Sequence, residues 1–409
     1  MLGFESIARV LVLLVGLNLL YVVVRIIYNI FLHPLRHYPG PPIWCAARLT
    51  WVLALQRGYL HRDLLDLHNK YGPIVRIAPD ELSYVDPRAW KDIYVSGGSR
   101  PGHPPIERNG IWFRKQRHDE PYSILGNNED AHARYRRAFA ASFNEKAVND
   151  QSPLIEKYVD LMIQRFRSMV GTGGNSTTID IVSWLNFVTF DISGDLSFGE
   201  SFGSTKKGEP HAWVEIACRF GKGIALVASL NYYAPLQKLL KYTMPATVRQ
   251  KMIYHRELST QKVRQRLQLH KERADFVQSV LKYNQEKAEK VTSNELELNM
   301  SVFVFAGSET TSTTMAAVFF NLLKTPAAMS RVTEEVRSAF AHEREIDVAS
   351  VSKLEYLNAV INEGMRLGPA SAIAVPRIVP ALGERICGRR VPGGVRQASL
   401  FGRASYTNF

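Results

Sequence analysis

Cysteine is scarce in this 409-residue chain: there are three, Cys45, Cys218 and Cys387, and no two are close in sequence. That spacing excludes a disulfide scaffold and any CxxC-type zinc or iron–sulfur motif, and it fits a reducing, cytosol-facing environment. HExxH, GxSxG and GxGxxG are all missing. Gly203–Gly208 has the spacing of a phosphate loop, but Glu209 occupies the lysine position and removes the phosphate-binding charge. Acidic residues are also in short supply, 38 Asp and Glu against 51 Lys and Arg, for a formal net charge of +13. Much of the excess lies in Arg249–Lys290, where 11 Lys/Arg face 5 Asp/Glu, and Arg385, Arg389, Arg390, Arg396 and Arg403 add more. No zinc-finger spacing or other nucleic-acid module accompanies this charge, so nucleic acid is not an expected partner. A solvated basic helix face is the plainer reading; anionic lipid or an acidic protein is the other. With 46% hydrophobic and 22% charged residues, the chain has ample material for a large core.

The longest apolar run is at the N-terminus. Val10 to Leu32 is apolar except for Gly16, Asn18, Arg25 and Asn29. The strict run Val10–Val24 falls short of the roughly 20 residues a spanning helix needs, and the residues to Leu32 supply the rest. Arg25 then has to snorkel toward the headgroups. No small-x-small cleavage site follows, so the run reads as a membrane anchor over 1–32 rather than a cleaved signal. Arg25, Arg36, Arg48 and Arg57 lie on its C-terminal side, which places the bulk of the chain in the cytosol. The triplet Asn175-Ser176-Thr177 is then a loop out of reach of glycosylation. The proline-dense stretch from His33 to Pro42 predicts a stiff extended elbow, with the segment 33–48 linking anchor to domain.

Ile74–Ile77 and Glu81–Val85 predict a β-hairpin around Ala78-Pro79-Asp80. Beyond it the periodicity is helical. Leu154, Ile155, Tyr158, Met162, Phe166 and Met169 form one stripe, closed by Gly171–Gly174. Met329, Val332, Val336 and Phe340 form a second, entered through Thr325 and Pro326; Leu354, Leu357, Val360 and Ile361 form a third. The expected fold class is mainly α with small β-sheets, as one domain over 49–409 behind an N-terminal transmembrane helix.

Three constellations carry chemistry. Ala306-Gly307-Ser308-Glu309-Thr310-Thr311 sits inside a mostly apolar stretch, Leu296 to Leu323. Ala306 and Thr310 share a helix face that Val302 and Phe303 extend. Small side chains at Ala306 and Gly307 would admit a flat ligand, and a hydroxyl at Thr310 beside the Glu309 carboxylate can relay a proton. Glu363 and Arg366 in Glu363-Gly364-Met365-Arg366 are i,i+3 neighbours able to pair. His132 and Arg136 lie one turn apart and could hold an anionic group; a solvated basic face is the alternative.

In this order, the segments resemble the cytochrome P450 superfamily. The anchor and HPLRHYPGPP elbow are similar to its microsomal members, AGSETT to its oxygen-activation motif, EGMR to its Glu-x-x-Arg motif, and Val375-Pro376-Arg377 to a strand whose arginine meets a haem propionate. His132 stands where many members carry tryptophan, four residues before Arg136. The wording DAHARYRRAFAASF, FDISGDLSFGESFG and YLNAVINEGMRL looks most like fungal hydroxylases of terpenoid secondary metabolites, of the isotrichodermin C-15 hydroxylase type.

The resemblance implies a single-pass protein of the endoplasmic reticulum membrane with haem b. It would hydroxylate a lipophilic small molecule with O2 and electrons from an NADPH-cytochrome reductase. It assigns oxygen and proton handling to Thr310 and Glu309, and the haem face to Ala306 and Gly307. A pocket wall falls to Val302 and Phe303, the propionates to His132, Arg136 and Arg377, and a structural pair to Glu363 and Arg366.

The family's proximal ligand is a cysteine thiolate in F-x-x-G-x-R-x-C-x-G. Pro380–Arg389 imitates it, with Gly383, Arg385 and Cys387 aligned but Pro380 in place of phenylalanine and Arg389 in place of the last glycine. Cys387 follows Arg366 too soon, and Pro392, Gly393 and Gly394 block the helix that should come next. Cys387 therefore reads as a decoy in a β segment. The expectation is a P450-like fold incomplete at its C-terminus, with Val395–Phe409 not continuing it. A non-catalytic membrane-bound remnant is the alternative to an active enzyme.

Overall fold

The computed structural model describes residues 4–95, 106–112, 119–126, 128–170, 178–211, 213, 222–223, 225–233, 236, 245–269, 272–371 and 375–399. The expected breaker Gly171–Gly174, the triplet at Asn175 and Cys218 lie outside these. The chain is mainly helical and divides into two compact units, Met1–Trp112 with Ala372–Phe409, and Phe113–Ser371.

The first unit begins with α1 (Phe4–Ile27), which widens into a π-helical turn, Tyr28–Leu32. Among the described residues, Val12–Leu32 is the one stretch long and apolar enough to cross a membrane. Three helices follow: α2 (Pro42–Ala46), α3 (Leu49–Gln56) and α4 (Leu60–Tyr71). Helix α2 corrects the elbow expected to be extended: proline cannot continue a helix but is well suited to start one, and Pro42 sits at the first helical position.

Strands β1 (Ile74–Ala78) and β2 (Glu81–Tyr84) form the anticipated hairpin, followed by α5 (Arg88–Tyr94). They join β3 (Glu107–Arg108), β4 (Arg377–Ile378) and β7 (Arg396–Ser399) in a sheet of order β1-β2-β7-β4-β3. Strand β7 runs parallel to β2, with Glu81 opposite Arg396 and Tyr84 opposite Ser399. This corrects the reading that nothing after Val395 continues the fold: Arg396–Ser399 is the strand that holds the sheet together. Leu35, Leu82, Tyr84 and Val395 are in its core.

A separate hairpin pairs β5 (Glu384–Ile386) with β6 (Arg389–Val391) through Cys387-Gly388. Both turn residues have positive φ, 50° at Cys387 and 76° at Gly388, as a type I′ turn requires. The Cys387 backbone N–H donates to Asp92 Oδ2 at 2.8 Å.

The second unit runs α6 (Glu129–Phe139), α7 (Glu145–Val170), α8 (Ile181–Phe198), α9 (Ser204–Lys207), α10 (Ala246–Gln268), α11 (Phe276–Glu286), α12 (Ser293–Lys324), α13 (Pro326–Ala339), α14 (Val348–Val351) and α15 (Glu355–Leu367). The three apolar stripes fall on α7, α13 and α15, with Phe340 just past the end of α13 and Leu354 just before the start of α15. The core gathers Tyr135, Phe139, Phe190, Trp213, Met300 and Val304 around the middle of α12.

Helix α15 lies against the C-terminal part of α12 at two glycines. A Cβ on Gly364 would overlap Val318 Cγ2, and one on Gly368 would come within 2.8 Å of Ala317 Cβ. Glu335 of α13 accepts the backbone N–H groups of Tyr356 and Leu357, both at 2.8 Å, and so fixes the N-terminus of α15. Gly364→Val is expected to force α15 off α12 and to cost about 3 kcal/mol. Thermal unfolding of the purified chain checks this: an unchanged midpoint would show that the two helices do not pack this closely.

Candidate functional site

Helix α12 is 32 residues long and mostly apolar, yet its two sides differ. Ser308 and Ser312 are buried and face α8: Ser308 Oγ lies 2.5 Å from Val304 O and 3.3 Å from Thr189 O, and Ser312 Oγ donates to Asn186 Oδ1 at 2.7 Å. On the opposite side Ala306 and Thr310 are exposed. A core helix covers its middle, so an uncovered face of small residues there is where another group fits. The face is bounded in chain order by Asn299, fully buried against residues 119–126, and by Ala317, against α15.

Thr310 donates its hydroxyl proton to Ala306 O at 2.7 Å, and Thr314 does the same to Thr310 O at 2.9 Å. These bonds run along the helix without breaking it. They leave the Thr310 oxygen able to accept a hydrogen bond from the open side. Glu309 is half-buried beside it.

One of the expected residues faces elsewhere. Phe303, expected on the pocket wall, gives its ring to the core, edge-on to Phe139 at 4.7 Å and to Phe276 at 5.5 Å. Three residues before Ala306, it lies on the margin of that face, on the side of packed neighbours. Gly307 is exposed beside Ala306, and a Cβ there would come within 3.2 Å of Ser193 Oγ. Val302 is half-buried.

At the N-terminal end of α12, a carboxylate organises the surroundings. Thr292 and Glu295 form a capping box, with Glu295 Oε2 accepting Thr292 N at 2.8 Å. Glu295 Oε1 receives Arg134 at 2.5 Å and lies 2.9 Å from the Tyr135 hydroxyl, so α6 is bonded to α12. Burial alone would raise the Glu295 pKa; the bonds from Thr292 and Tyr135 and the Arg134 charge hold it below the usual range. The Thr-x-x-Glu pattern before an apolar run could have revealed this residue in the sequence.

On α6, His132 Nδ1 lies 2.9 Å from Ile124 O, and Ile124 N donates to Asn299 Oδ1 at 2.7 Å. A carbonyl only accepts, so Nδ1 carries the hydrogen. A carboxylate at Nε2 would then require the imidazolium form. Arg136 is exposed one turn on.

Glu363 and Arg366 pair on α15, with Nε to Oε2 at 2.5 Å and a second contact between the terminal nitrogen and Oε1. The Arg366 bond holds the Glu363 carboxyl below its usual range. Arg377 belongs to the other unit. There it lies on β4, 5.7 Å from the Tyr94 ring centroid, with one terminal nitrogen 3.3 Å from Ile106 O.

The small side chain of Ala306 beside Thr310 would accommodate a flat apolar group such as haem. The described residues of Phe113–Ser371 include no cysteine that could ligate its iron. Cys45 and Cys387 belong to the first unit. Cys45 is a buried thiol 3.8 Å from Arg76 O, its pKa pushed up by burial.

Comparison with known proteins gives a consistent answer. The family model for cytochrome P450 matches residues 38–396. Cytochrome P450 monooxygenase astJ of Aspergillus oryzae is 39% identical over 91% of this chain and 73% of its own length. Versicolorin B desaturase of Aspergillus parasiticus is 36% identical over 92% and 74%, and cytochrome P450 monooxygenase olcB of Penicillium canescens 37% over 98% and 80%.

Proposed function

The chain belongs to the cytochrome P450 family, in its fungal secondary-metabolism branch, and from that premise we propose that it is a haem-dependent monooxygenase hydroxylating a lipophilic, terpenoid-like small molecule. The observation that carries this reading is the open stretch in the middle of α12, where the small or hydroxyl-bearing residues Ala306, Gly307, Thr310 and Thr311 are exposed while Ser308 and Ser312 are buried against α8. The terpenoid class rests on the sequence likeness alone. Haem, when bound, would supply oxygen activation.

The protein's own groups would do the rest. Ala306 leaves room for the ring and Val302 keeps its surroundings apolar. Thr310, its proton held on Ala306 O, accepts a hydrogen bond from water at the open face, and Glu309 feeds protons to that water. His132 and Arg136 on α6 would offer polar groups to the haem carboxylates. Electrons would come from an NADPH-cytochrome reductase on the same membrane, with α1 as a single-pass anchor in the endoplasmic reticulum and the bulk of the chain in the cytosol.

A second reading, a membrane-bound form without monooxygenase activity, is favoured by one observation. Cys387 is committed to the tight turn between β5 and β6. Haem titration of the detergent-solubilised full chain tests both. One haem per chain with the red-shifted carbon monoxide band of a thiolate complex supports the monooxygenase. One haem without that band, or no haem at all, supports the second reading and overturns the first; the thiolate band overturns the second. Ala306→Trp fills the face and is expected to weaken haem binding by about ten-fold or more, equivalent to about 1.4 kcal/mol.

A further inference from the structure

Four hydroxyls in the middle of α12 stand at alternate positions: Ser308, Thr310, Ser312 and Thr314. Three of them are spent on their own helix. Thr310 donates to Ala306 O and Thr314 to Thr310 O, and Ser308 Oγ lies 2.5 Å from Val304 O against 3.3 Å from Thr189 O on α8. Ser312 is the exception among the four. Its hydroxyl has two acceptors in reach, Asn186 Oδ1 at 2.7 Å and the Glu309 carbonyl at 3.1 Å, and only one proton to give. The shorter contact takes that proton away from α12, to the side chain of α8.

Asn186 is oriented to accept it. Its Nδ2 donates to Val182 O, one turn back on α8, at 3.1 Å. A carbonyl only accepts, so the amide nitrogen faces Val182 and Oδ1 is left for Ser312. The residue is out of character where it stands. Around it α8 reads Trp184-Leu185-Asn186-Phe187-Val188, with the four apolar residues buried and the asparagine half-buried. Asparagine is a weak helix former, and a carboxamide drawn into a helix seam loses water unless it finds a partner. Ser312, 2% exposed, is that partner.

The pairing matters because of what Ser312 does without it. A buried hydroxyl needs an acceptor, and the Glu309 carbonyl is the one that remains within reach. Ser308, one turn earlier and facing only a distant carbonyl on α8, already bonds back in this way. A serine turned back onto its own helix competes with the backbone for a carbonyl and bends the helix. Here the carbonyl belongs to Glu309, and in a regular helix it receives the N–H of Thr313. Thr310 is the next residue, so a bend at this turn moves both members of the acid–hydroxyl pair.

We propose that Asn186 is a positioning residue for Glu309 and Thr310: it draws the Ser312 hydroxyl out to α8 and so keeps α12 regular at the turn that bears the pair. The role of the pair rests on the proposed monooxygenase function; the steering of Ser312 does not, and the test reads the two separately.

Backbone hydrogen exchange of the detergent-solubilised full chain, without haem, reads the steering at the Thr313 amide. Asn186→Ala is expected to speed exchange there about five-fold, as the weakening of one hydrogen bond would. Ser312→Ala added to it should bring the rate back to within about two-fold of wild type, because no hydroxyl is left to turn inward. Simple loss of packing at Asn186 gives the opposite order, with two truncations worse than one. An unchanged Thr313 amide in Asn186→Ala, or a double variant faster than the single one, overturns the steering. Asn186→Leu, of similar shape, makes the same test if Asn186→Ala does not fold.

The second measurement adds haem and uses carbon monoxide as the probe. Its infrared stretching band should shift in Asn186→Ala and return in the double variant. An unmoved band beside the expected exchange pattern overturns the positioning of the pair and leaves the monooxygenase reading standing. A wild-type chain that takes up no haem overturns that reading and with it the role of the pair, while the exchange measurement still decides the steering.

Discussion

Arg48→Ala is expected to destabilise the first unit by about 4 kcal/mol, because it strands the buried Glu81 carboxylate. Arg48 is nearly buried and reaches two acids at the turn between β1 and β2: its guanidinium lies 2.6 Å from Glu81, itself buried, and contacts Asp80. Asp80 is shared with Arg396 of β7, and Arg396 N also donates to Asp80 O at 2.8 Å. The ion network thus ties the hairpin to the central strand of the sheet. Removing one guanidinium leaves Glu81 with its desolvation cost and no cation. Arg48→Met keeps much of the packing volume against Trp51, and a similar loss in that variant would locate the effect in the charge.

The same network predicts a pH dependence. Burial pushes the Asp80 carboxyl up, but Arg48 and Arg396 together outweigh burial and hold it well below the usual carboxylate range. A group whose folded pKa is depressed contributes stability above its unfolded pKa, about 3.9 for Asp, and loses that contribution as pH falls toward the folded value. The wild-type sheet should therefore resist acid to well below pH 4, whereas Arg48→Ala should raise the pH at which it opens. Hydrogen exchange at the amides of β2 and β7 reads this locally. Protection that is identical in both proteins across the acid range would rule the network out as the cause.

Glu295→Ala carries the second large effect, about 3 kcal/mol, and it bears on the candidate site directly. One carboxylate closes the capping box of α12 and receives both Arg134 and Tyr135 of α6. Without it the guanidinium loses its counter-charge and keeps only Lys290 O, the phenol keeps only Tyr122 O, and the first turn of α12 loses its reciprocal bond to Thr292. Because α6 also carries His132 and Arg136, loosening it should weaken any carboxylate-bearing ligand held there. Glu295→Gln keeps an acceptor without the charge and should lose roughly half as much. Chemical denaturation of the three proteins checks the order: wild type most stable, then Gln, then Ala. Since the folded pKa of Glu295 is lowered, its contribution is present above the ordinary carboxylate range and fades as pH drops through the folded value. An Ala variant as stable as wild type at neutral pH would mean that α6 is held by packing alone.

The open face of α12 was readable from spacing because it is a local property. Ala306 and Thr310 are one turn apart in any helix, and a helix was legible from apolar periodicity. Phe303 shows the limit of that reasoning. Periodicity places it beside the same face, but whether a ring on the margin turns to the opening or to the core depends on Phe139 and Phe276, which lie far from it in sequence.

By itself the sequence determined what short-range physics decides. An apolar run long enough to span a bilayer, a hairpin around Pro79, three amphipathic helices and the Glu363–Arg366 pair all rest on residues within a few turns of one another. Only the tertiary structure decided the rest. Arg396–Ser399 looks featureless until it is seen paired in parallel with Glu81–Tyr84, and Arg76 looks like an ordinary strand arginine until it caps the apolar N-terminal helix at Asn29. A parallel strand pair and a buried cation on a carbonyl both need chain segments tens to hundreds of residues apart to meet. No local pattern records that meeting, because its free energy comes from groups desolvated together only once the chain has folded.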